Sequence, residues 1–350
     1  MIGVSVGAEV GAALADLAQA AGRAAIADDV VGEALALAAA WGPRVPRPGH
    51  GRTAELWSAL ATLGAVDLTV ARAVEPHLDA LTILAEADVL TEAAPAATTW
   101  GVYAAETPKQ RLTAVNAGGA WVMDGHKPWC SLAGRVSHAL VTAWVDDSTR
   151  RLFAVDLGSR GVRPAEADGV WVSHGLPQIS SCGVDFDRVE GDPVGEPGWY
   201  LTRPGFAWGG VGVAAVWYGG AVAVARRVLR HVAQRSPDQI AHLQVGRLDL
   251  ALSASREALA AAATAADSAP NEAGSSALEA VRARSLVAET VETVIRVADH
   301  AMGPAPLTHD AEHAQRISDL RLYVRQHHAE RDVVDLGDRV LRSTPNRAPW

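Results

Sequence analysis

The sequence predicts an α+β fold in three consecutive blocks: helices over residues 1–92, a small β-domain over 93–203 and a helical bundle over 204–350. Three observations carry this. Ala/Leu-rich stretches with charges at helical spacing fill the first block. Short alternating runs separated by Gly, Pro, Asp and Ser fill the middle. The last block has the length and periodicity of three or four long helices. With 350 residues, 49% of them apolar and 20% charged, the chain is expected to bury a large core. Its net charge of -9 argues against nucleic acid or an anionic membrane as the main partner. Two cysteines, Cys130 and Cys182, make no disulfide framework. Glu9 and Asp16 interrupt any leader-like apolar run, so a cytoplasmic location is expected.

In the first block, helices are expected over 12–25 and 31–40, then a Pro-rich loop over 42–49. Thr53 is placed to cap a helix that reaches Gly64, and Asp67 restarts a second helix toward Leu90. Strands are expected over 100–104, 120–123, 139–145, 152–155, 170–172 and 184–186. Beyond Pro204, helices are expected over 206–234, 240–266, 275–302 and 315–341. Residues 206–225 form the longest uncharged stretch, and Gly209, Gly210, Gly212, Gly219 and Gly220 punctuate it. Such a stretch suits a helix buried on all sides of a bundle, and no membrane span is expected.

The chemistry centres on Gly125-His126-Lys127-Pro128-Trp129-Cys130-Ser131, between two strand-like runs. This pattern, Gly-x-Lys-x-Trp-x-Ser, resembles the flavin-contacting segment of acyl-CoA dehydrogenases. The run Glu55-Leu56-Trp57 through Leu60, Leu63-Gly64 and Asp67-Leu68 resembles that family's amino-terminal helical domain, and the helix–sheet–helix order matches throughout. The bland alternative is a Trp anchoring a hairpin beside a Ser in a turn. The resemblance implies an FAD-dependent oxidoreductase of lipid metabolism that takes an acyl-CoA or other acyl thioester. Trp129 would lie against the isoalloxazine and Ser131 would donate to flavin N5, where density builds on reduction. Glu106 falls where the family has a Thr-Glu-Pro segment, although the Gly-Ser-Asp loop after it is shortened here to Lys109-Gln110-Arg111. Its alternative is an exposed strand-end carboxylate. Arg235 is matched to an arginine that reaches the FAD pyrophosphate of a neighbouring subunit, a task suited to a bidentate fork. A solvated helix end is its alternative. That cross-subunit contact implies a homo- or hetero-oligomer, a dimer or tetramer, with an electron-transfer flavoprotein or similar acceptor as redox partner.

The same resemblance places the base that removes the α-proton at Asp310, counted back from Asp319. Asp is about one C–C bond, roughly 1.5 Å, shorter than the family's Glu. The family's Glu-Gly-Thr is replaced by His327-His328-Ala329, which puts His327 and His328 beside the cofactor or, alternatively, in structural or solvated positions. His309-Asp310-Ala311-Glu312-His313 also spells an inverted zinc-protease pattern, but it follows a Pro-rich loop in a chain with 12 His, and no metal is assigned. Two alternatives accompany the dehydrogenase: a flavin-dependent monooxygenase on the same fold, which needs no carboxylate base, and a non-catalytic or partner-dependent subunit of a heteromeric enzyme.

Overall fold

The structure, a computed structural model, describes residue 3 and residues 8–89, 98–108, 110–165, 170–234, 236–268 and 276–343. Four helices come first: α1 (Ala8–Ala25), α2 (Val30–Trp41), α3 (Thr53–Val66) and α4 (Leu68–Glu86). The sheet follows with β1 (Trp100–Tyr103), β2 (Leu112–Ala117), β3 (Ala120–Lys127), β4 (His138–Trp144), β5 (Arg150–Asp156), β6 (Val162–Pro164), β7 (Val184–Glu190) and β8 (Asp192–Val194). Its order is β6-β7-β3-β2-β4-β5-β8, with β1 parallel to β4. The helical tail comprises α5 (Trp199–Thr202), α6 (Gly205–Ala233), α7 (Gln239–Ser268), α8 (Ser276–Met302), α9 (Ala305–His309), α10 (Ala311–Tyr323) and α11 (Glu330–Ser343).

α6 is apolar and long enough to span a membrane, yet 67% of its most apolar window is buried within the protein. It is the central rod of the bundle, and its glycines set how closely α3 approaches. A Cβ at Gly219 would overlap the Ala61 carbonyl, and one at Gly64 would overlap the Val216 carbonyl. The two helices therefore meet backbone to backbone, sealing Trp57, Leu60, Leu63, Val216 and Trp217 from solvent.

Three expectations fail locally. Thr53 does not cap α3: Arg52 is the N-cap residue without a side-chain bond, and the Thr53 hydroxyl instead donates to Asp267 at 2.6 Å. No strand forms at 170–172, because Ser173 and Trp171 bond to Gly175 and Leu176 just ahead and fold the segment on itself; the short strand is β6. The helix expected over 315–341 is broken. α10 passes into one 3-10 turn (Val324–Gln326), and Ala329 takes φ +49° before α11 starts. Arg284 holds the break by donating to the Gln326 carbonyl at 2.8 Å.

Gly219→Ala should therefore cost more than about 2 kcal/mol, at the upper end of overpacking penalties. Gly22→Ala, where a Cβ meets nothing within 4 Å, should be neutral or slightly stabilising. Urea unfolding of the two variants checks this, and equal midpoints would show that α3 and α6 can separate without loss.

Candidate functional site

The Gly-x-Lys-x-Trp-x-Ser segment divides into structural and displayed residues. Gly125 sits at φ +121° at the irregularity in the β3–β7 pairing, where a Cβ would collide with the Arg111 carbonyl. Lys127 is fully buried and donates to Glu106 at 2.5 Å and to both the carbonyl and hydroxyl of Thr142 at 2.8 Å. Glu106 also accepts from the Trp144 indole at 3.2 Å. Burial raises the Glu106 pKa, but the bond and charge of Lys127, the Trp144 bond and the Arg150 charge together outweigh it and hold the carboxyl below its usual range; burial lowers the Lys127 pKa. In this chain Glu106 is the counter-ion of a buried lysine that ties β3 to β4.

Trp129 is the displayed residue, 59% exposed with φ +58°. A left-handed backbone is costly for a bulky side chain and persists only when the surroundings impose it. Here Cys130 N bonds Cys182 O at 2.9 Å and Leu132 N bonds Ser180 O at 2.7 Å, clamping the residues just after Trp129 to the 180–182 segment. Tyr103 of β1 donates to the Ser131 carbonyl at 3.0 Å. The Ser131 hydroxyl lies 2.7 Å from that of Ser181 and accepts from the Arg72 guanidinium at 2.8 Å.

Arg72 joins this loop to the helical interior. It lies 3.8 Å from Glu75 one turn along α4 and sits over the Tyr323 ring at 5.7 Å. Tyr323, at the end of α10, donates to Glu75 at 3.4 Å. Arg284 of α8 stacks on Trp217 at 4.6 Å and donates to the carbonyls of Gly210 and Gln326. Next to Gln326, buried His327 lies 3.1 Å from Ser285, and burial lowers its pKa. His328 is exposed and pairs with Asp332 at 3.2 Å. The break after α10 thus brings the His327 pair to the interior cluster that reaches Ser131. A cavity of about 410 Å³ lies alongside, lined by Asp79, Tyr200, Arg203, Arg284, Ser285 and His328 among others. A second, of about 350 Å³ between α3, α4 and α6, shares Asp79 with it and includes Glu75.

Asp310 is placed elsewhere. It is the N-cap residue of α10, accepting from His313 N at 3.1 Å, and it pairs with Arg227 of α6 at 3.0 Å. The cap bond first and Arg227 second hold its carboxyl below the usual range. At 13 residues, α10 sets it about 20 Å along the helix axis from Tyr323. His309 ends α9 and His313 lies in α10, so the inverted zinc pattern spans a helix break and shares no helical face. Arg235 lies outside the described residues.

Arg72, Glu75, Tyr103, Ser181, Tyr323 and Arg284 were not singled out by sequence, although Arg72, Glu75 and Asp79 at i, i+3, i+7 on one face of a largely apolar helix were a visible signal. Burial raises the Glu75 pKa from 4.5 to about 7, partly offset by Arg72. A carboxyl that binds its proton more tightly when folded destabilises the fold once pH exceeds its unfolded value, with the full effect reached above the folded value. Glu75→Gln should therefore raise stability at pH 8, by at most about 3 kcal/mol, and change little at pH 4. Urea midpoints at the two pH values check this; equal shifts at both would mean that Glu75 is not held protonated.

No family model matches the chain, and no curated protein matches its sequence. Solved structures do match. Butyryl-CoA dehydrogenase from Megasphaera elsdenii aligns over 96% of this chain and 99% of its own, with a TM-score of 0.79 at 16% identity. KijD3, in complex with FMN and an amino-trideoxy-keto-methyl-glucose linked to dTDP, aligns over 98% and 94% with a TM-score of 0.75 at 18% identity. Dibenzothiophene monooxygenase (TdsC) from Paenibacillus sp. A11-2 aligns over 97% and 98% with a TM-score of 0.75 at 14% identity. The chain has the acyl-CoA dehydrogenase fold, as its sequence predicts.

Proposed function

We propose that this chain is a flavin-dependent oxidoreductase of the monooxygenase type, with the isoalloxazine against Trp129 and within reach of the Ser131 hydroxyl. The observation that supports it is a large indole left exposed on a strained, clamped turn, beside a hydroxyl fixed by Arg72 and Ser181. These residues fit the ring of a flavin: a flat apolar face, and an oxygen that accepts from Arg72 and, with Ser181 as the donor in their 2.7 Å contact, has its own proton to donate. Bound there, the flavin supplies hydride transfer or, once reduced, oxygen activation. The chain's own residues hold the ring and its protonation: Trp129 excludes water from one face, Ser131 donates, and Arg72 keeps Ser131 oriented. His327 closes the interior side, and His328 lies exposed beside it. Glu106 contributes from behind the strands, through Lys127. FAD is the cofactor implied by the sequence resemblance, with Arg235 on its pyrophosphate. FMN, present in the KijD3 complex, needs no such contact and suits the shortened loop after Glu106.

A second reading is favoured by the overlap with butyryl-CoA dehydrogenase: α,β-dehydrogenation of an acyl-CoA with Asp310 as base and an electron-transfer flavoprotein as acceptor. It ranks second because Asp310 is a helix cap held ionised by Arg227, an arrangement that weakens it as a base.

Flavin uptake by the purified chain, followed by visible absorbance and fluorescence quenching, tests the proposal. Ser131→Ala should weaken binding about tenfold, one hydrogen bond's worth, and Trp129→Ala more. Oxygen uptake with reduced flavin, unaltered in Asp310→Ala, is the expected outcome. Anaerobic bleaching by butyryl-CoA that disappears in Asp310→Ala establishes the dehydrogenase instead. A chain that stays colourless unless co-expressed with a homologue identifies a partner-dependent subunit.

Assembly into a homo-oligomer is part of this proposal. α7 exposes Ile240, Leu243 and Leu250 at 58%, 48% and 73%, along one helical stripe that a second copy would cover. Light scattering should give a multiple of 36.5 kDa for the native chain, and the Leu243→Asp, Leu250→Asp double variant should shift to the single-chain mass.

A further inference from the structure

The cavity between α3, α4 and α6 has a composition that selects its occupant. Its volume is about 350 Å³, within the range of small-molecule sites. Trp57, Leu60, Leu78 and Trp208 make it apolar, and Glu75 and Asp79 are its two carboxylates. Neither carboxylate has a close partner. Glu75 has Tyr323 at 3.4 Å and Arg72 at 3.8 Å, and Asp79 has Arg203 at 3.7 Å. Each arginine has its shorter bond through another nitrogen, Arg72 to Ser131 at 2.8 Å and Arg203 to Glu86 at 2.6 Å, while Arg72 Nη1 and Arg203 Nε are buried without a hydrogen-bond partner among the described residues. Arg47, on the loop that follows α2, is the cation among the lining residues. Trp57 is fully buried, and its indole N–H, on the side of Gly212 in the same wall, has no hydrogen-bond partner among the described residues. An unmet donor beside two loosely held carboxylates, Glu75 buried and Asp79 partly exposed, gives the apolar chamber polar groups that a ligand would complete.

We propose that this cavity takes a small apolar molecule carrying a protonated amine, with the amine seated on Glu75 and Asp79 and an acceptor atom facing the Trp57 indole. This deepens the oxidoreductase assignment by naming its substrate class, and it rests on that assignment only for what happens to the amine afterwards. The link to the flavin segment is short: Glu75 to Arg72, and Arg72 to Ser131. A thioester of a fatty acid offers neither the cation nor the donor hydrogens that two carboxylates require.

The pH dependence of binding follows from Glu75. The groups facing it are Arg72 and Asp79 on α4, Tyr323 from α10, Arg284 from α8 and Tyr200 from α5. Burial sets its pKa at about 7, so its carboxylate fraction rises roughly tenfold from pH 6 to pH 8 while an alkylammonium stays charged. His77, behind Gly42 of the same wall, has its pKa lowered to about 4 by burial and does not titrate in that interval.

Isothermal titration of the full chain, with and without added flavin, would use 2-phenylethylamine, 2-phenylethanol and 3-phenylpropionate as probes. The amine should bind at least tenfold tighter than the other two at pH 8 and lose about tenfold of that affinity at pH 6. Glu75→Gln should abolish both differences, and Leu78→Trp, which fills the chamber from its α4 wall, should block the amine. Equal binding of the alcohol or the acid, a pH dependence retained in Glu75→Gln, or no binding of the amine by a chain that takes up flavin would each overturn the proposal. Amine binding by a chain that takes up no flavin would leave it standing and remove the oxidoreductase assignment instead.

Discussion

The Arg72 guanidinium is the contact on which the relation between sheet and helices depends. It donates across the boundary to Ser131, faces Glu75 on its own helix and covers the Tyr323 ring at the end of α10. One side chain therefore ties the displayed turn of the β-domain to the first and last helical blocks. Partial burial makes that geometry matter, since a charge removed from water is stable only where its partners are held in place. Ser131 owes its orientation to an arginine whose own position is fixed by an apolar helix, α4, packed beside α2 and α6.

Much of this architecture was legible in the chain. The order of the three blocks, the buried glycine-bearing helix and the Gly-x-Lys-x-Trp-x-Ser turn all show as periodicity or as residue types with few alternative uses. What remained hidden is long-range pairing. Glu106 lies in a loop and Lys127 ends a strand 21 residues later, and nothing local states that they meet. Thr53 stands where a cap belongs, but its partner Asp267 is more than 200 residues away and takes the hydroxyl outward. The break after α10 was equally hidden. His327-His328-Ala329 has ordinary helix propensities, and it is Arg284, from another helix, that holds the preceding carbonyl.

Asp310 is the residue that a count along the sequence proposes as the base. Its chemistry here is that of a cap: a short carboxylate accepting from the third residue of its helix, with an arginine on its other oxygen. Glu75 is the reverse case. It carries no motif, yet its burial gives it a proton affinity near neutrality.

The backbone contact between α3 and α6 has a bearing on the chamber that those helices wall. Side-chain walls can be reshaped by substitution, but a spacing set by touching carbonyls and glycines has no intermediate setting. Trp57 and Trp208 meet on that side of the chamber as a tilted pair, their ring centroids 6.3 Å apart. Divergence toward bulkier or slimmer occupants has to proceed along the remaining sides, at α4 and at the proline-bearing segment of residues 42–48, where Pro43, Pro46 and Pro48 form a stiff but replaceable rim.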